Sequence, residues 1–92
     1  MKVTKNSSRE DVLAAVKLNG SVLEHASDKL KADREVVLTA VKSSDYALRF
    51  ASDELKNDRE VVLEAINSDA HGLEFASDKL KADPELIKIS KQ

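Results

Sequence analysis

No cysteine occurs in this chain, so disulfides, thiolate metal sites and cysteine nucleophiles are excluded together. Tryptophan is absent as well, and one Tyr and two Phe bring the aromatics to only 3%, so a core must be aliphatic, built from Val, Leu, Ile and Ala. Gly20 and Gly72 are the only glycines, which rules out a glycine-rich phosphate loop. An excess of one charge is also missing. Fifteen basic against 17 acidic side chains leave a formal net charge of −2, which favours neither a polyanion-binding surface nor an acidic mimic of nucleic acid. No apolar run approaches the ~20 residues that span a bilayer, and the opening MKVTKNSSRE lacks the apolar heart of a signal peptide, so a cytoplasmic protein without membrane contact is expected.

What is present is repetition. ASDKLKADREVVL from Ala26 returns as ASDELKNDREVVL from Ala51 and fades as ASDKLKADPELI from Ala76, a period of 25 without insertion. Ser8, Asp33, Asp58 and Asp83 share one register, each followed by a basic residue or proline, then glutamate, then an apolar run. A side-chain oxygen there accepts a first-turn N–H, and the glutamates suit the positive end of the helix dipole. Pro84 fits the first helical position, where no backbone N–H is missed. Four helix starts follow.

The first helix of each module is expected to bury Val37, Leu38 and Val41 as one stripe, with Ala40 allowing close approach. It stops in Asn19-Gly20, Ser43-Ser44-Asp45 and Asn67-Ser68-Asp69, where Gly20 suits a left-handed C-terminal residue. Leu23, Ala26 and Leu30, with their equivalents Leu48, Ala51, Leu55 and Leu73, Ala76, Leu80, have helical spacing for a second helix. The Ala-Ser-Asp inside it favours a cap over a helix interior, so a break near Ser52 is the alternative. One such hairpin buries too little apolar surface to stand alone and needs neighbours. Asp11 in the slot of Val36, with Lys88 and Lys91 in slots of Leu and Val, is the polarity expected of capping modules. The expectation is an all-α fold, a short α-solenoid of 25-residue helical hairpins: a flexible lead-in over 1–7, repeats at 8–32, 33–57 and 58–82, and a partial capping repeat at 83–92.

The pattern Arg34, Glu35, Val37, Leu38, Ala40, Val41, then Leu48, Ala51, Ser52, Leu55, Lys56 resembles a family of tandem repeats known as domain of unknown function 4116, over Ser8 to Ile87. The resemblance implies the repeat fold and carries no activity. Repeats this uniform also fit a consensus-type designed array.

Ser27, Ser52 and Ser77 recur in every copy without a fixed base beside them, as helix caps do and nucleophiles do not. His25 shares the slot of Phe50 and Phe75, so a half-buried ring between hairpins is expected, and neither histidine has ligand-spaced partners for a metal. Lys29, Lys31, Arg34, Lys56, Arg59, Lys79 and Lys81 interleave with aspartates, which reads as a locally paired, solvated edge rather than a phosphate track. Between copies, Ser21/Tyr46/His71, Glu24/Arg49/Glu74 and Ala14/Thr39/Glu64 vary. Variable surface is where solenoids make contacts, so Thr39, Tyr46, Arg49, Glu64, His71 and Glu74 are the candidate partner-binding residues, with Tyr46 and Arg49 as the expected hot spot. The function expected is a non-catalytic protein-interaction or scaffold module, monomeric and without cofactor, binding a protein or peptide. A nucleic-acid-binding array and an inhibitor that blocks a larger assembly are the alternatives.

Overall fold

The computed structural model describes residues 2–68 and 70–91, without the side chains of Asp45, Ala70 and His71. Among the described residues the chain is all helix and turn, with no strand. Four longer helices start the modules: α1 (Arg9–Leu18), α3 (Arg34–Ser43), α5 (Arg59–Ser68) and α7 (Pro84–Ser90). Between them lie 3₁₀ helices at Gly20–His25, Asp45–Phe50 and Ala70–Phe75, each followed by a single α-turn, α2 (Asp28–Lys31), α4 (Asp53–Lys56) and α6 (Asp78–Lys81). Each longer helix packs on that of the next module and the 3₁₀ helices pack on one another in the same order, giving a two-layer stack of 39 × 21 × 15 Å. The repeat array expected from the period is the fold observed.

All four helix starts are where the caps put them. Ser8 Oγ accepts from Asp11 N at 3.1 Å, Asp33 from Val36 N at 3.1 Å, Asp58 from Val61 N at 3.3 Å and Asp83 from Leu86 N at 3.2 Å. Pro84 occupies the first turn of α7, as expected.

The second helix is broken at Ala-Ser-Asp. Ala51 and Ser52 are extended (ψ near 160°), and the hydroxyls of Ser27, Ser52 and Ser77 accept from the N–H of Leu30, Leu55 and Leu80 to start the short α-turns. The break also frees a backbone donor for the neighbour. Ser52 N donates to Lys31 O at 3.0 Å and Ser77 N to Lys56 O at 2.9 Å, one backbone bond at each of these module interfaces. A second bond crosses at the helix ends, where Ser43 Oγ donates to Val16 O at 2.8 Å and Ser68 Oγ to Val41 O at 3.2 Å. Those carbonyls belong to the last turn of the preceding helix, which has no partners of its own.

The core runs the length of the stack. Val12, Val37 and Val62 are each 0% exposed, so equivalent residues sit at matching depth. The buried stripe differs from the expected one: Val36, Val37, Ala40 and Val41 are fully buried, while Leu38 is only partly so. A middle helix has a neighbour on either side and the 3₁₀ layer beneath, so its covered arc is wider than a surface helix would need. At the ends, Asp11, Lys88 and Lys91 are exposed where Val36, Val61 and Leu86 are buried in the slot of the first. Val3, in the segment read as a loose lead-in, is 5% exposed and belongs to the core.

Gly20 is not a left-handed cap. Among the described residues no glycine has positive φ, and α1 ends instead on extended Asn19, whose Oδ1 accepts from Ser21 N at 3.0 Å. Proximity is what requires glycine here: a Cβ at Gly20 would lie 2.0 Å from Ala40 O of the next module. Leu48→Ala, at a fully buried 3₁₀ position, is expected to cost about 2–5 kcal/mol in urea denaturation. Leu18→Ala, at a residue 88% exposed, should change the unfolding free energy by no more than about 0.5 kcal/mol.

Candidate functional site

Two surfaces run along the stack, and the first is a ladder of arginines. The residue that opens each helix reaches across to the cap of the next: Arg9 Nε to Asp33 at 2.6 Å, Arg34 Nε to Asp58 at 2.9 Å and Arg59 Nη1 to Asp83 at 2.6 Å. The same guanidiniums also bond Glu35, Glu60 and Glu85, two residues beyond each cap. Each arginine thus holds two carboxylates of the following module in the fork geometry that suits it. The arginine bond, helped by the Val36 N–H and opposed by partial burial, holds the Asp33 carboxyl below its ordinary value of 3.8. Arg34 and the Val61 N–H do the same for Asp58, and Arg59 and the Leu86 N–H for Asp83. The arginines are raised in return.

This edge is locally paired, as its alternating charges suggest, but the pairing crosses between modules and uses Arg9 and the glutamates. Period 25 carried the signal, since it sets Arg9 beside Asp33 and Glu35 once helices stack. Lys81, by contrast, lies 3.6 Å from Asp78 on its own turn.

The second surface is the 3₁₀ edge. Tyr46 is 54% exposed and its ring centroid lies 5.6 Å from that of Phe75 in the next module. Arg49 lies over the ring of Phe50 at 5.3 Å, within cation–π range. Where the second helix breaks, shallow clefts open between modules. One of about 410 Å³ is lined by Arg49, Lys56, Glu74, Phe75, Asp78 and Lys81 among others; one of about 310 Å³ has Phe50 with Asp28, Lys31 and Asp53. Both signs of charge occur in each.

Of the candidate residues, Tyr46, Arg49 and Glu74 share this edge. Thr39 lies on the outer face of α3, lining a separate cleft with Arg34, Glu35, Leu38 and Lys42, and Glu64 takes the equivalent place on α5. The His71 side chain lies outside the described residues. Phe50 and Phe75, which were not among the candidate residues, lie on this edge with half-buried rings, the burial expected of their slot. His25 in the same slot is exposed, 3.7 Å from Glu24, because no module precedes it to cover the ring. Among the described residues no three of His, Cys, Asp and Glu gather as a metal site, and no helix is long and apolar enough to cross a membrane.

Stacked modules of one capped helix, one 3₁₀ helix and one short α-turn, clamped by arginine, define an all-α tandem-repeat protein. The family model described as Domain of unknown function (DUF4116) matches residues 8–56, 33–81 and 58–90, and the chain belongs to that family. The first two matches each run from a helix cap to the end of the short α-turn in the next module, so the matched unit contains an interface. Comparisons with curated proteins and with solved structures gave no match.

Linkage gives the ladder a pH signature. A carboxyl whose folded value is depressed adds stability that is complete above its unfolded value and is lost as pH falls through the folded one. Wild type should therefore hold its urea midpoint down to about pH 4 and lose stability below it, the ordinary carboxyl value being 3.8. Arg34→Ala should be less stable at pH 7, with the gap to wild type closing in acid; a gap independent of pH would show that the guanidinium acts only by packing.

Proposed function

We propose that this chain is a non-catalytic protein-interaction or scaffold module whose contact surface is the 3₁₀ edge. One observation carries the reading: Tyr46 stands exposed against Phe75 beside Arg49 stacked on Phe50, so aromatic and guanidinium groups, the usual energetic anchors of interfaces, collect on one edge. Beneath them lies a continuous aliphatic core, and the slots of Tyr46 and Arg49 change in character from module to module while the core stays aliphatic. A partner protein or peptide is the ligand this surface suits. Blocking of a larger assembly would use the same edge.

Nucleic acid is the weaker reading. Three of the cations a phosphate track would need, Arg9, Arg34 and Arg59, each hold two carboxylates, and the clefts carry acids beside their lysines. Within this reading the chain acts as a monomer in the cytoplasm, the exposed Asp11, Lys88 and Lys91 at the outer modules disfavouring end-to-end stacking. Native mass measurement reads the oligomeric state directly.

Capture from a lysate on immobilised protein tests the surface. Tyr46→Ala with Arg49→Ala is expected to lower recovery of the partner about fivefold or more, since a hot spot costs upward of about 1 kcal/mol. Thr39→Ala with Glu64→Ala, on the helical face, should leave it unchanged. Equal recovery by wild type and both variants would remove the interaction reading, and retention on nucleic acid that weakens steeply with salt would replace it.

A further inference from the structure

The layers of the stack are not joined alike. The first two interfaces each carry three kinds of bond: the arginine clamp, the hydroxyl that Ser43 or Ser68 gives to the preceding helix, and the main-chain bond from Ser52 or Ser77. Between the third module and α7, among the described residues, only the clamp of Arg59 on Asp83 and Glu85 remains. Ser90 Oγ turns back to Ile87 O of its own helix at 2.8 Å. Apolar contact is thinner as well. α3 and α5 each bury four side chains, whereas α7 buries Leu86 alone, with Ile87 and Ile89 partly covered.

α7 is also too short to hold itself. Its seven residues fall below the ~12–15 at which an isolated helix becomes even marginal, so its helicity depends on the face it packs against. That face is made by α5, the Ala70–Phe75 helix and α6, and only Ala82 and Asp83 separate α7 from α6. In a linear array each layer contacts its neighbours alone, so an end layer can leave without breaking any other interface.

What such a face accepts is seen three times in this structure. The helices opened by Asp33-Arg34-Glu35-Val36-Val37, by Asp58-Arg59-Glu60-Val61-Val62 and by Asp83-Pro84-Glu85-Leu86-Ile87 are each met by an arginine of the module before, which bonds both acids. The residue between the acids differs, so it is not what is recognised. Val36, Val61 and Leu86, the first apolar residue of each opening, are all 0% exposed. Asp11, in that slot of a helix that has no helix before it among the described residues, is exposed, so the slot points at the preceding layer.

We propose that α7 is a displaceable lid over a helix-binding site. It undocks and unwinds while the first three modules stay folded, and the face it leaves, with Arg59 at its rim, takes a helix of another protein that opens with Asp-x-Glu and an apolar pair. Arg59 then bonds the incoming acids as it bonds Asp83 and Glu85, and the first apolar residue fills the place of Leu86. Cover by α7 lowers the apparent affinity in proportion to the time the face is closed, so the lid is autoinhibitory. The site lies at the end of the stack and does not rest on the 3₁₀ edge.

Hydrogen exchange read by mass spectrometry tests the lid. Amides of α7 should exchange about tenfold faster or more than those of α3 and α5, their opening being local; equal protection overturns the proposal. Fluorescence anisotropy with a labelled peptide DREVVLEAI, the sequence of residues 58–66, tests the face. Leu86→Ala, which frees the lid, should bind this peptide about tenfold more tightly or better than wild type does. Arg59→Ala frees α7 but removes the cation, and should bind several-fold more weakly than Leu86→Ala. A peptide with Asn and Gln in place of its first two acids should lose binding to Leu86→Ala likewise. No saturable binding to Leu86→Ala at millimolar peptide, or binding indifferent to Arg59 and to the peptide's acids, overturns the site. Loss of helix content beyond α7 in the circular dichroism of Leu86→Ala would show that the layer does not leave alone, and overturns the lid. A dimer of Leu86→Ala in native mass measurement, in place of the peptide complex, would assign the face to a second copy instead.

Discussion

A ten-residue helix apolar on two sides needs two neighbours, and that requirement governs this molecule. In α3, Val36, Val37, Ala40 and Val41 are all fully buried, an arc no single partner could cover. Covering it takes the helix before, the helix after and the 3₁₀ layer, so the buried surface belongs to interfaces as much as to modules. The hydrophobic term supplies the drive without direction. Direction comes from polar groups that cross each interface: the arginine to the next cap, the serine hydroxyl to the preceding carbonyl, and the backbone N–H freed at Ala-Ser-Asp. These bonds fix the stagger of one module on the next, because a helix slid by one residue would lose all of them.

The broken second helix shapes both the module interface and the exposed edge. A continuous helix would have closed the edge with its own side chains. By unwinding at Ala51 and Ser52 the chain gains a bond to its neighbour and opens a notch between modules, into which Phe50 and Phe75 show half a ring. At the helix starts, charges are engaged by the arginine ladder.

Much of this was legible from the residues because repetition multiplies weak signals. One Asp followed by Arg-Glu is a slender hint of a helix start; three Asp and one Ser in register, the last Asp followed by proline, located every longer helix. Ala-Ser-Asp likewise announced a cap. What periodicity does not encode is the neighbour. Leu38 and Val36 are equally apolar, and only the packing of flanking helices decides that Val36 is the deeper. Gly20 was read for conformational freedom, whereas the approach of Ala40 from the next module is what demands it. Of the candidate site, the variable slots Tyr46, Arg49 and Glu74 came from comparing copies, the rings of Phe50 and Phe75 were read for packing between modules, and Thr39 and Glu64 lie on another face.

The bond from Ser52 N–H to Lys31 carbonyl is made by main chain alone, and its counterpart at Ser77 is identical in kind. Main-chain joints are indifferent to the side chains around them. A gene duplication that copies any block of this length therefore inserts a layer that already fits both neighbours, and afterwards each copy's outer slots are free to diverge on their own. Growth by whole layers and change by single residues become separate evolutionary processes, the first setting length and the second setting the exposed surface.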